Sequence, residues 1–181
     1  DTVALKVIAA AFAADEQAMV DRFRREAAAA RKVSSPNVIR IHDLGEARPG
    51  LLYLSMEYFP GRTLAEVITA RGLVPLPDCV DYLQQICVGL AAAHDAGVIH
   101  RDLKPHNVML TQRAGSADFV KVVDFGIARS LAGDATVQTM AGAVMGTPAY
   151  MSPEQARASA DLDARSDIYS LCVLFHELLG L

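Results

Sequence analysis

The chain has 181 residues, enough for one domain with a substantial core, and its 52% apolar and 21% charged residues are those of a globular protein rather than a disordered one. A formal net charge of −4, with both signs mixed along the chain, offers no basic block for nucleic acid and no acidic tail. No apolar run reaches the roughly 18 residues that span a bilayer, the N-terminus lacks a secretory layout, and Cys79, Cys87 and Cys172 have no Cys-x-x-Cys spacing, so buried reduced thiols in a cytosolic setting are expected.

Thr2 to Ile8 alternates as a strand, with Ala4, Lys6 and Ile8 on one face and Val3, Leu5 and Val7 on the other. By itself, a lysine among apolar neighbours reads as an edge residue whose ammonium reaches water. Asp15 to Lys32 reads as a helix with Met19, Val20 and Phe23 as its apolar stripe. On it, Glu26 follows Arg22 by four residues, a spacing that suits a local surface pair. Ser34-Ser35-Pro36-Asn37 breaks the helix. Val38 to Leu44 and Leu51 to Tyr58 then read as two strands joined by a turn from Gly45 to Gly50. Thr63 and Glu66, three apart, form a capping box that opens a short helix. A longer helix runs from Pro77 to about Ala96, with Val80, Leu83, Ile86, Cys87 and Leu90 spaced for one buried face, and Gly97 ends it. His94 reads as structural, and His42, His106 and His176 lack metal-ligand spacing.

The most informative stretch follows. A short apolar run (Val98-Ile99) leads into His100-Arg101-Asp102-Leu103-Lys104-Pro105-His106-Asn107, and Val108-Met109-Leu110 carries the chain away as a strand. After a polar turn, Phe119 to Val123 forms the next strand and delivers Asp124-Phe125-Gly126. Two carboxylates and a carboxamide therefore stand at strand ends, where a polar group can face a cleft. Phosphoryl transfer needs such a set: a carboxylate for the acceptor proton, oxygen ligands for magnesium, and cations on the phosphates. Asp102 can take the proton, Asn107 and Asp124 can supply oxygens, and Lys104 can reach the transferred group. An isolated Asp or Asn in a loop is usually a cap or turn residue, but this pair of motifs at this distance is a far more specific signal. The C-terminal helix, Ala164 to Leu179, is strongly apolar from Ile168 onward and is expected to be buried on most sides; Asp167 near its start suits the helix dipole.

Together these motifs resemble the catalytic domain of protein serine/threonine kinases, specifically the eukaryotic-like kinases of bacteria, over nearly the whole chain. The resemblance implies an α+β, two-lobed fold. Residues 1–58 would be an incomplete small lobe of three strands and one helix, 59–62 a hinge, and 63–181 an incomplete, mainly helical large lobe. Within the latter, 98–107 would be the catalytic loop and 124–154 the activation segment. It implies that Lys6 holds ATP phosphates and is braced by Glu26, and that Ala4, Met56, Glu57, Tyr58 and Met109 line the adenine site. Asp102, Lys104 and Asn107 would be catalytic, with Mg²⁺ on Asn107 and Asp124. His100, Phe125, Gly126 and Asp167 would support the loops. Arg101 would receive a phosphate placed on Thr136 or Thr139, with Ser130 a further acceptor, in a segment punctuated by Gly133, Gly142 and Gly146. Thr147, Pro153 and Glu154, within Gly146-Thr147-Pro148-Ala149-Tyr150-Met151-Ser152-Pro153-Glu154-Gln155, would dock protein substrates bearing Ser or Thr acceptors.

Further expectations are a kinase dimer for phosphorylation in trans, no nucleic-acid partner and no membrane contact within this segment. The chain is expected to be cytoplasmic; kinases of the bacterial family it resembles often continue into a membrane span and an extracellular sensor, and neither is visible in this sequence. A glycine-rich phosphate loop, further helices and the arginine partner of Glu154 are expected outside these residues, leaving an exposed apolar surface on the last helix. The alternative is a catalytically inert fragment or a pseudokinase-type scaffold. Retention of Lys6, Asp102, Asn107 and Asp124 favours the enzyme.

Overall fold

A computed structural model describes residues 2–9, 16–112, 118–126, 148–159 and 161–181. In the N-terminal part, β1 (Val3–Ala9), β2 (Ile41–Arg48) and β3 (Leu51–Glu57) form an antiparallel sheet in the order β1-β3-β2. α1 (Glu16–Ala30) lies on one face because its stripe of Val20, Phe23, Ala27 and Ala30 recurs at helical spacing. That stripe packs with Ile41, Leu52 and Leu54 into a first core, while Val3, Leu5 and Val7 of β1 stay exposed on the other side. Alternation along β1 and β3 thus sorts the sheet into a covered face and an open one.

The first strand after α1 begins three residues later than its composition suggests. Val38 forms a parallel bridge with Val122, the Ile39 amide donates to the Val122 carbonyl at 2.9 Å, and the Val122 amide donates to the Asn37 carbonyl at 2.8 Å. These backbone groups are spent on the second half of the molecule, so β2 starts at Ile41 and continues to Arg48.

That second half contains β4 (Arg62–Thr63), α2 (Leu64–Arg71), α3 (Leu76–Asp95), β5 (Val108–Gln112), β6 (Asp118–Val122), α4 (Pro153–Ala156) and α5 (Ala164–Leu178). Its sheet has the order β4-β5-β6. Arg62 pairs with Leu110, so it belongs to this sheet rather than to a linker. The capping box at Thr63 and Glu66 forms, and Gly97 follows α3 at φ +74°, a left-handed turn that suits glycine. Cys79, Tyr82, Ile86, Leu90 and Ala93 of α3 pack with Val120 and Val122 of β6 and with Leu171, Leu174 and Leu178 of α5. This second core is separate from the first.

Three packing expectations change. Val80 of α3 is 42% exposed and Cys87 is exposed, because the buried stripe runs through Tyr82 and Cys79 instead. Cys172 of α5 is exposed too, so only Cys79 of the three thiols is buried. α5 is one-sided: Leu171, Leu174 and Leu178 face the core, while Ile168 and Tyr169 face outward. Among the described residues, no helix is long and apolar enough to cross a membrane.

Candidate active site

The chain leaving α3 enters its loop under the grip of one buried carboxylate. Asp167, in the first turn of α5 and 1% exposed, accepts the His100 amide at 2.8 Å on one oxygen and the Arg101 amide at 2.9 Å on the other. The His94 ring closes on it at 2.7 Å. Removing any of these donors would strand a buried charge, which explains why the loop and α5 stay together.

His100 joins this loop to the one after β6. Its Nε2 meets the Val123 carbonyl at 3.0 Å and its Nδ1 meets the Asp102 amide at 3.2 Å. A carbonyl needs a donor and an amide an acceptor, so the ring is the neutral Nε2–H tautomer. Burial holds its pKa below the ordinary histidine value, consistent with that state. The ring centroid lies 4.7 Å from that of Phe125. Gly126 completes the junction by donating its amide to the His100 carbonyl at 2.8 Å; a Cβ there would sit 2.7 Å from that oxygen, which excludes other residues without a backbone shift.

The polar groups follow from this scaffold. Asp102 Oδ2 accepts from Lys104 Nζ at 2.8 Å and from Asn107 Nδ2 at 3.0 Å, and Asn107 Nδ2 also donates to the Asp102 carbonyl at 2.8 Å. The Asn107 carbonyl accepts the amide of Val123, the residue before Asp124, at 2.9 Å. Asp102, Lys104, Asn107 and Asp124 therefore stand on two loops bonded to each other. Asp124, with φ +57°, receives Lys6 Nζ at 2.8 Å across the junction between the two halves. Lys6 and Asp124 line a partly open cleft with Met56 and Phe125; its apolar walls are Ile8, Ile39, Ile41 and Leu54. Those four aliphatic residues were invisible as site residues in the sequence, because only the folded sheet puts them on one wall.

Of the residues expected at the adenine site, Met56 lines this cleft, while Ala4 pairs with Met56 in the β1–β3 ladder and is not part of the lining. Glu57 instead accepts from Lys121 Nζ at 2.8 Å, and Tyr58 is 54% exposed. Met109 pairs with Lys121 in the β5–β6 ladder. Lys121, 8% exposed, is a buried cation that sequence reading missed; its place in an alternating strand resembles any solvent-facing lysine.

The expected Lys6–Glu26 brace is not the pair formed. Lys6 bonds Asp124, and Glu26 lies 3.9 Å from Arg101 Nη1. A lysine stem is flexible, so its partner is whichever carboxylate tertiary packing brings within reach. Arg101 is itself held at φ +65° beside α1. Pro153 opens α4, and Glu154 accepts from the Ser166 hydroxyl at 2.7 Å, a bond that holds its carboxyl below the usual range. Nearby, Tyr150 donates its hydroxyl to Glu177; burial, with that bond and the carboxylate's charge adding to it, pushes the phenol up. Ser130, Thr136, Thr139 and Thr147 lie outside the described residues.

The donor set suits a hard divalent cation. Asn107 spends its amide nitrogen on Asp102, which leaves its side-chain oxygen as the ligand atom, and Asp124 adds a carboxylate. Magnesium takes one or two such oxygens and completes its shell with water and phosphate.

Comparison with known proteins agrees with this geometry. The family described as "Protein kinase domain" matches residues 1–180. Serine/threonine-protein kinase pkn3 of Myxococcus xanthus is 45% identical over 98% of this chain and 32% of its own length. Serine/threonine-protein kinase PknB of Mycobacterium leprae is 43% identical over 98% of this chain and 28% of its own. The chain thus spans about a third of the length of these curated relatives. The crystal structure of the Mycobacterium tuberculosis PknI kinase domain superposes with a TM-score of 0.75 at 29% identity, covering 98% of this chain and 63% of that one.

Proposed function

Because this chain belongs to the protein kinase domain family, we propose that the protein containing it transfers the γ-phosphate of ATP to serine and threonine hydroxyls of protein substrates. The observation that carries this reading is the bonding of the Asp102 and Asp124 loops to each other, with Lys6 reaching Asp124 over one cleft.

Asp102 is the base. Its Oδ2 accepts from Lys104 and Asn107, which orient the carboxylate toward the proton of the attacking hydroxyl. Lys104 carries a positive charge beside that attack line and stabilises charge on the transferred phosphoryl group. Asn107 and Asp124 would hold magnesium, which when bound neutralises phosphate charge and orients the leaving group. Lys6, now on Asp124, is the cation for the remaining phosphates. The aliphatic wall of Ile8, Ile39, Ile41, Leu54 and Met56 excludes water and receives the apolar face of adenine.

Arg101 supports regulation by phosphorylation of Thr136 or Thr139. A phosphate would compete with Glu26 for its guanidinium and offer a bidentate partner. Pro153 and Glu154 shape the platform for the acceptor segment. Phosphate transfer from radiolabelled ATP to a generic protein by the full-length protein tests the reading. Asp102→Asn, nearly isosteric but without the base, is expected to lower kcat by about 10²-fold or more. Undiminished transfer by that variant would remove Asp102 from the chemistry.

A further inference from the structure

The three consecutive peptides at His100, Arg101 and Asp102 have all six backbone polar groups engaged. His100 donates to Asp167 and accepts from Gly126; Asp102 donates to the His100 ring and accepts from Asn107. Arg101 donates to Asp167 at 2.9 Å, and its carbonyl accepts from Gln155 Nε2 at 2.7 Å. Five of these six bonds involve groups already assigned to the loops. The sixth does not.

We propose that Gln155 is a positioning residue for phosphoryl transfer, holding the Arg101 carbonyl so that the next residue, Asp102, keeps the orientation of its carboxylate. This rests on the kinase reading above and adds to it a second job for the substrate-docking turn. Two features carry it. Arg101 has φ +65°, a left-handed conformation that costs energy for a residue other than glycine and is held by its surroundings, and the two bonds on its peptide groups are those from Asp167 and Gln155. Gln155 is itself oriented: its Oε1 accepts the Ser152 amide at 3.0 Å, while its own amide donates to the Ser152 hydroxyl at 3.3 Å. Its side-chain amide cannot be reversed, because that would set NH₂ against N–H and oxygen against oxygen. One side chain therefore links the cap of α4 to the peptide that precedes the base, 54 residues away in sequence.

Gln155→Glu separates the two jobs. It keeps an oxygen for the Ser152 amide but replaces the donor facing Arg101 with a second oxygen. Measured in the full-length protein, it is expected to lower kcat about 10-fold, since small misplacements of reacting groups cost this much or more. The KM for ATP should stay within about twofold, the signature of an effect on the reacting arrangement rather than on binding. Ser152→Ala, which weakens the cap but leaves the Gln155–Arg101 bond, should lower Tm and leave kcat within about twofold of wild type. Should Gln155→Glu fail to fold, Gln155→Met, of equal length and without a donor, is expected to give the same kcat loss.

A wild-type kcat in the Gln155 variants overturns the proposal, as does a kcat loss in Ser152→Ala as large as in Gln155→Glu, which would make the residue merely structural. Absence of any Asp102-dependent transfer by the wild-type protein overturns the kinase reading itself and this proposal with it.

Discussion

At His100 two hydrogen bonds demand one protonation state. The ring donates at Nε2 and accepts at Nδ1, so adding a proton at Nδ1 would set N–H against the Asp102 amide. Burial is the largest cause of its lowered pKa, and nearby Asp167 opposes it only in part. The folded protein therefore keeps the ring neutral at pH values where the unfolded chain, with a value near 6.5, has begun to protonate. Stability from this site is full above about pH 6.5 and is lost as pH falls toward the lowered folded value. Urea unfolding at pH 7.5 and 5.5 should give a smaller free energy at the lower pH. His100→Phe, which keeps a ring against Phe125, should reduce that difference; an unchanged pH slope would mean that other groups set it. Lys121, buried on β6, meets Glu57 at 2.8 Å and the Phe59 ring at 5.6 Å, contacts that replace part of the hydration it loses.

The elements obey local rules closely where side chains reach only a few residues. Thr63 and Glu66 exchange two bonds at the start of α2, and the same reciprocal arrangement recurs at Ser152 and Gln155. Thr63→Ala is expected to cost about 1 kcal/mol, read from the urea midpoint at constant slope. No change would mean that contacts of Leu64 and Val67, both fully buried, hold α2 without its cap. Elements that end by docking behave differently. The segment after α1 is rich in β-branched residues and reads as strand from Val38, yet Val38 and Ile39 bond β6 instead of β3. Propensity was right about extended backbone and silent about its partner.

Across the whole molecule, two hydrophobic cores meet through a polar seam. Asn37, 6% exposed, donates to the Val120 carbonyl at 2.8 Å and to Gln85 at 3.2 Å, while its own carbonyl accepts from Val122. Gln85 in turn accepts the Val120 amide at 2.9 Å and donates to the Asp118 carbonyl at 3.0 Å. This seam fixes how the sheet bearing Lys6 sits over the strand leading to Asp124. Asn37→Ala should cost about 1–3 kcal/mol, because the Val120 carbonyl loses its buried side-chain donor. In the same variant the KM for ATP should rise, since the cleft lies between the parts that the seam joins. A variant with unchanged stability and nucleotide affinity would show that the cores are aligned by other contacts.

Asp102, Asn107 and Asp124 were legible in the sequence because their spacing within two strand–loop units is set by short-range chain geometry, and α1, α3 and α5 were legible because one apolar stripe recurs at helical period. Choice of partner was not legible. Lys6 on Asp124, Glu26 on Arg101, Glu57 on Lys121 and Gln155 on Arg101 join residues between 54 and 118 positions apart. Local pattern states that a side chain is charged or can donate. Which group it meets depends on how two cores are placed against each other, and that placement is a sum of many small contacts that no single stretch of sequence contains.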